Sequence, residues 1–302
     1  MTKIRKSKSN HHLLLFLLPA FAFVFIFNYI PMYGLLIAFQ NYVPGDPIAS
    51  FNADWVGLYH FNAFLNDFRF TQLVLNTFLL SLFGFLIGFP LPIVIALLLN
   101  SMRNHKTSKR LQTIFYAPHF ISIIVLVGML NLLFGEYGLI NHITLMLGGD
   151  KFSYFLEASA FRPMFILSGN WQDFGWSAII YLAALSGVDP TLHEAAVVDG
   201  ASRFQRVLHI DLPAIFPTIS VLLILSIGNL MGVGYEKVLL MQTGGNISVS
   251  EVISTYVYKT GLTGFPDFSY ATAIGLFNSL INVILLVFAN TMAKRFSENS
   301  LW

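Results

Sequence analysis

The chain has 302 residues, of which 56% are hydrophobic, 15% aromatic and only 11% charged, with a net charge of +2. Soluble domains carry about 25% charged residues, so this composition excludes an ordinary water-soluble globule and defines an integral membrane protein. The near-neutral balance gives no electrostatic footprint for nucleic acid, and the absence of cysteine excludes disulfides, thiolate metal sites and a cysteine nucleophile.

A membrane-spanning helix needs roughly 20 predominantly apolar residues. In chain order, six runs qualify: residues 13–39, 73–99, 111–134, 163–185, 214–233 and 270–293. The expected fold is therefore all-α, a polytopic bundle of six transmembrane helices occupying residues 13–293. A basic tail, residues 1–12, precedes the first run and carries Lys3, Arg5, Lys6 and Lys8. Ala20-Phe21-Ala22 mimics a signal-peptide cleavage site. However, only residues 13–19 would form the apolar core ahead of it, and the run continues unbroken to Phe39, so it reads as an uncleaved span. His11 and His12 in the tail carry no metal assignment. Residues 40–72 are rich in Pro, Gly, Asn and Asp and can hold a short interfacial helix.

Orientation follows from the Lys/Arg asymmetry of the loops. With the N-terminus in the cytoplasm, the outer side keeps only Arg69, Lys151, Arg162, Lys237 and Lys259 of the 17 basic residues. Both termini, including the 294–302 tail, and the loop 187–213 are then cytoplasmic.

The fourth run is interrupted by Asn170, Gln172 and Asp173, with Trp171 and Trp176 beside them. Polar side chains within a span face the bundle interior or a wet path. Hydroxyl-rich ligands need hydrogen-bonding groups and aromatic faces, so Trp171 and Asp173 are candidates for a substrate path. The alternative is that Asp173 caps or pairs with a neighbouring helix near the outer mouth. Asn229, Asn278, Ser279 and Asn282 either line the same path or bond between helices. Gly228 and Gly232 have the spacing of a helix-packing pair. Tyr235 and Glu236 stand at the outer end of the fifth run, where Tyr235 is a path candidate and anchoring is the simpler role.

Residues 194–213 read EAAVVDGASRFQRVLHIDLP. Asp189 is a good N-cap and Pro190 suits the first helical position, where no amide donor is needed. A helix should run to Val198 and end at Gly200 in the left-handed conformation. A second helix should run from Ala201 towards His209, with Pro213 marking a break before the fifth span. Ala195, Ala196 and Ala201 permit close approach of another surface, and Glu194 and Asp199 supply charge. Taken alone, these properties also describe an ordinary amphipathic connector, and His193 and His209 read as surface histidines.

The fixed positions Glu194-Ala195-Ala196, Gly200, Ile210 and Leu212-Pro213 resemble the EAA motif of permease subunits of binding-protein-dependent ABC importers. Val207 departs from a position that is usually aromatic. The stretches NYIPMYGLLIAFQNYVPGDP (28–47), WVGLYHF (55–61) and GNWQDFGWSAIIYLAALSGVDP (169–190) are similar to the sugar-permease branch, particularly its LplB-like polysaccharide-type members. The resemblance implies the type I importer permease fold and a transport subunit rather than an enzyme. It implies that the loop docks in a cleft of an ATPase subunit, with Glu194 paired to a basic residue there and Gly200 as the corner. It further implies a second homologous permease, two ATPase subunits that bind ATP and Mg, and an extracellular or periplasmic solute-binding protein. The implied cargo is a carbohydrate, of oligosaccharide type, and the implied location is the bacterial cytoplasmic membrane, with no cofactor in this chain. There is no G-x-x-x-x-G-K-[ST] run, hence no phosphate-cradling P-loop. Two other readings are an importer permease for a peptide or amino acid, and a membrane-embedded enzyme acting on a lipid-linked substrate. The latter needs acid/base or metal residues converging near one face, and the sequence offers no such constellation.

Overall fold

The computed structural model describes residues 11–48, 53–296 and 300–301. Most of the basic N-terminal tail and residues 297–299 and 302 of the C-terminal tail lie outside the described residues. Within them the chain is helical, and the one β contact is an isolated antiparallel bridge between Gln40 and Trp55.

Helix α1 (His11–Val24) continues through a π turn (Phe25–Tyr29) into a 3-10 segment (Ile30–Phe39). Pro31 opens that last segment; it removes one amide donor from the α ladder, which the altered turns accommodate. The Phe16–Phe39 stretch is apolar enough to cross a bilayer, yet its most apolar window buries nothing against the rest of the chain. In the following loop, α2 (Tyr59–Leu65) supplies the short helix expected there. Helices α3 (Phe70–Gly88) and α4 (Pro90–Asn100) form one long rod interrupted only at Phe89.

The third apolar run is not a single helix. Helix α5 (His105–Tyr116) tightens into a 3-10 turn (Ala117–Phe120), and Ile121 is extended. Ser122 then caps α6 (Ile123–Phe134) by accepting a hydrogen bond from the Val125 amide. Pro118 explains the break, since it cannot donate to the preceding turn. The third membrane-length stretch is therefore Ile123–Met146, made of α6 and α7 (Leu139–Met146).

Helix α8 (Ala158–Leu185) is the centre of the bundle and packs against α3, α4, α5 and α11. Its 28 residues reach about 42 Å at 1.5 Å per residue. The coupling-type loop follows as α9 (Pro190–Val198) and α10 (Arg203–Arg206). The expected break at Pro213 is absent. Helix α10 passes through a π turn (Val207–Asp211) directly into α11 (Leu212–Gly228). The Leu212 amide reaches the Val207 carbonyl across the widened turn, so the ring of Pro213 enters where the ladder is already loosened. Short helices α12 (Tyr235–Met241), α13 (Ile247–Ser250) and α14 (Ile253–Leu262) precede the long α15 (Phe268–Phe296). Among the described residues, five stretches are long and apolar enough to cross a membrane; α8 has the length, but its Asn170–Asp173 segment makes it too polar to be among them.

Three buried clusters hold the bundle. Leu80, Val127, Phe161 and Val238 join α3, α6, α8 and α12. Phe64, Leu73, Ile253 and Ile274 join α2, α3, α14 and α15. Ala96, Ala178, Tyr181 and Ile215 join α4, α8 and α11. Small residues set the closest approaches, as expected where lipid gives helices no hydrophobic reason to associate. Gly228 faces Leu286 of α15, whereas Gly232 lies beyond the helix against Asn229. At Gly175 an added Cβ would meet the Phe115 carbonyl oxygen at 2.0 Å, because α5 crosses α8 there. Gly175→Ala should therefore force the helices apart at a cost of about 1–3 kcal/mol. Its thermal unfolding in detergent should begin at lower temperature than that of the native chain; an unchanged transition would show that α5 is not fixed against α8.

Candidate functional site

Two features stand apart from helix packing. The first is a groove between α3, α8 and α11. An open cavity of about 770 Å³ is lined by Gly84, Phe89, Asp173, Trp176, Ser226 and Asn229 among others. A second cavity of about 410 Å³ shares Gly84 and Asp173 with it and extends to Asn170, Tyr235, Glu236 and Lys237. The two adjoin at Gly84 and Asp173 along α8, and their linings mix apolar, aromatic and polar side chains.

Asp173 sits where the cavities meet, with its side chain 60% exposed. Its Oδ1 is 3.0 Å from Nδ1 of His119, on the 3-10 turn that ends α5. The His119 ring lies flat on Trp176, with centroids 4.5 Å apart and 7° between planes. Asp173 thus both lines the groove and pairs with a neighbouring element. Trp171, by contrast, projects to the other side of α8. It borders a separate, almost wholly apolar cavity of about 490 Å³ with Leu130, Phe134 and Met164. Two residues along a helix turn about 200°, so Trp171 and Asp173 cannot share a face; the aromatic that accompanies Asp173 is Trp176, three positions on. Gln172 is buried and donates to the Ile121 carbonyl at 2.6 Å, satisfying the extended residue between α5 and α6.

Asn229 ends α11 and lines the larger cavity. Tyr235 opens α12, lines the smaller one and stacks on Tyr258 at 4.9 Å. Asn278 and Asn282 turn to the backbone of Met231, donating to its carbonyl at 3.2 Å and accepting from its amide at 2.9 Å. They hold the chain where α11 ends, which is the interhelical role. Ser279 bonds within its own helix.

Two residues carry no signal in the sequence: His119, which lies far from Asp173 in the chain yet supports it from behind the groove, and Lys237, which lines the smaller cavity from a short apolar segment between spans. Lys237 is only 8% exposed. Its Nζ donates to the Phe165 carbonyl at 2.8 Å and lies 4.6 Å from the centre of that residue's ring. Burial pushes its pKa down to about 8, against the opposing pull of the Asp173 carboxylate. An added Cβ at Gly169 would stand 3.0 Å from the same nitrogen.

The second feature is the 187–213 loop. Asp189 caps α9 through the Thr191 amide at 2.9 Å; that bond holds its carboxyl below the usual range. The helix closes with paired bonds from Ala201 to the Ala196 carbonyl (2.8 Å) and from Gly200 to Val197 (3.1 Å). Gly200 adopts a φ of 80°, the arrangement in which glycine ends a helix at no steric cost. Ser202 and Gln205 cap α10 reciprocally. Glu194, Ala195, Asp199 and Pro213 are exposed, and Ala196, Ala201, Ile210 and Leu212 are half-buried. Val197 and Val198, three and four positions after Glu194 on α9, stand exposed on its side of the helix, and Leu192 and Phe204 are exposed elsewhere on the loop. His209 is an exposed residue bonded to the Gln205 carbonyl. His193 is not simply at the surface: it reaches the buried Asp211. Among the described residues, no group of three or more His, Asp or Glu side chains could hold a metal ion.

A helical bundle with apolar stretches of bilayer length, an open groove of mixed polar and apolar lining along α8, and a protruding helix–glycine–helix loop with exposed apolar residues fits a membrane-embedded transport component. Residues 88–298 match the model of the family described as binding-protein-dependent transport system inner membrane component, and the chain belongs to that family. It is 42% identical to the polygalacturonan/rhamnogalacturonan transport system permease protein YteP of Bacillus subtilis (strain 168), over 96% of this chain and 90% of that protein. It is 41% identical to Protein LplB of the same organism, over 98% and 92%. A chain in the crystal structure of a bacterial ABC transporter involved in the import of the acidic polysaccharide alginate is 36% identical, with a TM-score of 0.84 over 95% of this chain and 96% of that one. The same transporter in complex with an alginate pentasaccharide-bound periplasmic protein gives 0.85. The chain is thus an ABC importer permease, a transport component and not an enzyme.

Proposed function

We propose that this permease carries an oligosaccharide across the bacterial cytoplasmic membrane along the Asp173 groove, and that the α9–Gly200–α10 loop joins it to a separate ATPase. The observation that carries the reading is the loop itself. It is rigidly capped and closed, yet it leaves Leu192, Val198, Phe204 and Glu194 outside, where a partner protein would cover them. The groove supplies what a sugar needs, namely the Asp173 carboxylate and the Asn229 amide together with the ring of Trp176. The names of the relatives, which include an oligosaccharide-bound complex, favour a sugar over a peptide or amino acid.

In this reading α8 is the fourth of six spans and both tails, 1–12 and 294–302, are cytoplasmic. A second homologous permease completes the path, two ATPase subunits bind ATP and Mg, and an extracellular or periplasmic binding protein delivers the cargo. The chain has no native cysteine, so single introduced thiols report cleanly. Ser202→Cys should resist a membrane-impermeant thiol reagent in intact cells while Ser153→Cys is labelled; the reverse pattern would invert the orientation. Uptake by the reconstituted complex should follow labelled oligosaccharides, such as oligogalacturonides, and not amino acids. Amino-acid uptake would transfer the chain to the other solute class, and ATP hydrolysis by the purified chain alone would remove the need for a partner motor.

A further inference from the structure

We propose that Asp211 is a positioning residue that locks the coupling helix α9 to two membrane helices, so that the three move as one body. None of the nine residues of α9 is buried. Apolar packing therefore cannot be what makes this helix stiff against the bundle, and a lever that is not stiff transmits nothing. The side chain of Asp211 is 3% exposed. It stands at the end of the π turn that joins α10 to α11. Its Oδ1 lies 3.2 Å from Nε2 of His193, in the middle of α9, and accepts from Nδ2 of Asn100, the last residue of α4, at 3.3 Å. One carboxylate oxygen thus ties the coupling helix to the cytoplasmic ends of two different spans.

The chemistry makes the tie selective. A buried carboxylate is costly unless charged and polar partners satisfy it, so moving α9 away from α11 would strand the group. The Arg206 guanidinium, on the adjoining turn, adds attraction. The far end of the tie is itself fixed, because Ser108 of α5 donates to the Leu99 carbonyl next to Asn100 at 2.9 Å. The π turn places the carboxylate: one extra residue in a helical turn rotates what precedes it by about 100°. Neither Asp211 nor His193 is among the fixed positions that resemble the EAA motif, so the lock is additional to it. The inference rests on the proposal that α9 receives the movement of an ATPase.

The test uses the importer assembled with its partner permease and ATPase, spin-labelled at Thr191→Cys on α9 and Phe216→Cys on α11. Pulsed electron spin resonance then reads the distance between labels, nucleotide-free and trapped with ATP and vanadate. The native pair should give one narrow distribution that is the same in both states. Asp211→Ala should lose that single population, and Asp211→Asn, which keeps the acceptor oxygen, should recover it. A distribution for Asp211→Ala as narrow as the native one in both states would overturn the proposal. Where Asp211→Ala fails to assemble, His193→Ala and His193→Gln make the same comparison from the half-exposed end. Broadening in His193→Ala alone supports the lock, since glutamine retains a donor, and equal distributions for both refute it. If Glu194→Ala and Gly200→Val still bind the ATPase normally, the coupling reading falls; if they do not and Asp211→Ala stays narrow, only the lock falls.

Discussion

Gly200→Val is expected to abolish most coupled uptake while leaving the chain inserted in the membrane. The position has a φ of 80° and nothing within 4 Å of where a Cβ would stand. Space is therefore not the obstacle. The left-handed conformation costs an L-residue about 1–2 kcal/mol, and a β-branched side chain is a genuine outlier there. The paired bonds that close α9 depend on that conformation, so valine should unwind the corner and misdirect Glu194. Gly200→Asn should keep more activity, because asparagine tolerates the left-handed region. If the two variants are equally inactive, the cause is crowding by a docked partner and not the backbone. If Glu194 docks on the ATPase as proposed, Glu194→Ala should remove a charge-assisted contact of about 1.5–3 kcal/mol, roughly ten- to hundredfold in affinity for the ATPase. Co-purification of the ATPase and its stimulated hydrolysis in reconstituted membranes measure both effects. Native values for both variants would reduce the loop to a connector.

The second large effect is expected in the groove. Asp173→Ala removes the carboxylate that both faces the cavity and holds His119, and Trp176→Ala removes the ring on which His119 rests. On the proposed path both residues touch the passing sugar, and a lost hydrogen bond or stacking face of about 0.5–1.5 kcal/mol should slow uptake by several-fold to about tenfold without lowering the amount of assembled complex. Trp171→Ala is the control, since its side chain borders the apolar cavity on the opposite flank of α8. Initial uptake rates of the three variants decide the matter. A loss in Trp171→Ala as large as in Asp173→Ala would show that the groove identified here is not the path.

The membrane class and most of the bundle were legible because apolar runs of bilayer length are a strong local signal. The helix–glycine–helix form of the 187–213 loop was legible for a related reason: caps, Gly200 and Pro190 act within a few residues of themselves. What misled was locality. Pro213 looked like a break, but the π turn before it carries the helix through. Leu111 and Phe134 belong to one apolar run, yet Pro118 divides it. Trp171 and Asp173 are near in sequence and far apart in angle, whereas His119 and Asp173 are 54 residues apart and in contact. Lys237 and Asp211 became noticeable only through burial, which depends on helices that no single segment specifies.

Gly169 and Lys237 show how such a contact limits the ways this sequence can drift. The ammonium reaches the backbone of α8 close beside position 169, where no side chain crowds it. An alanine there would place its Cβ 3.0 Å from the ammonium, a tight contact that the flexible lysine relieves by shifting a few tenths of an ångström, while a shorter residue at 237 would remove it altogether. Side chains larger than alanine at 169 should therefore be favoured together with loss of the lysine. Among sequences that diverged from this one the two positions should be inherited as a pair, although 68 positions separate them along the chain.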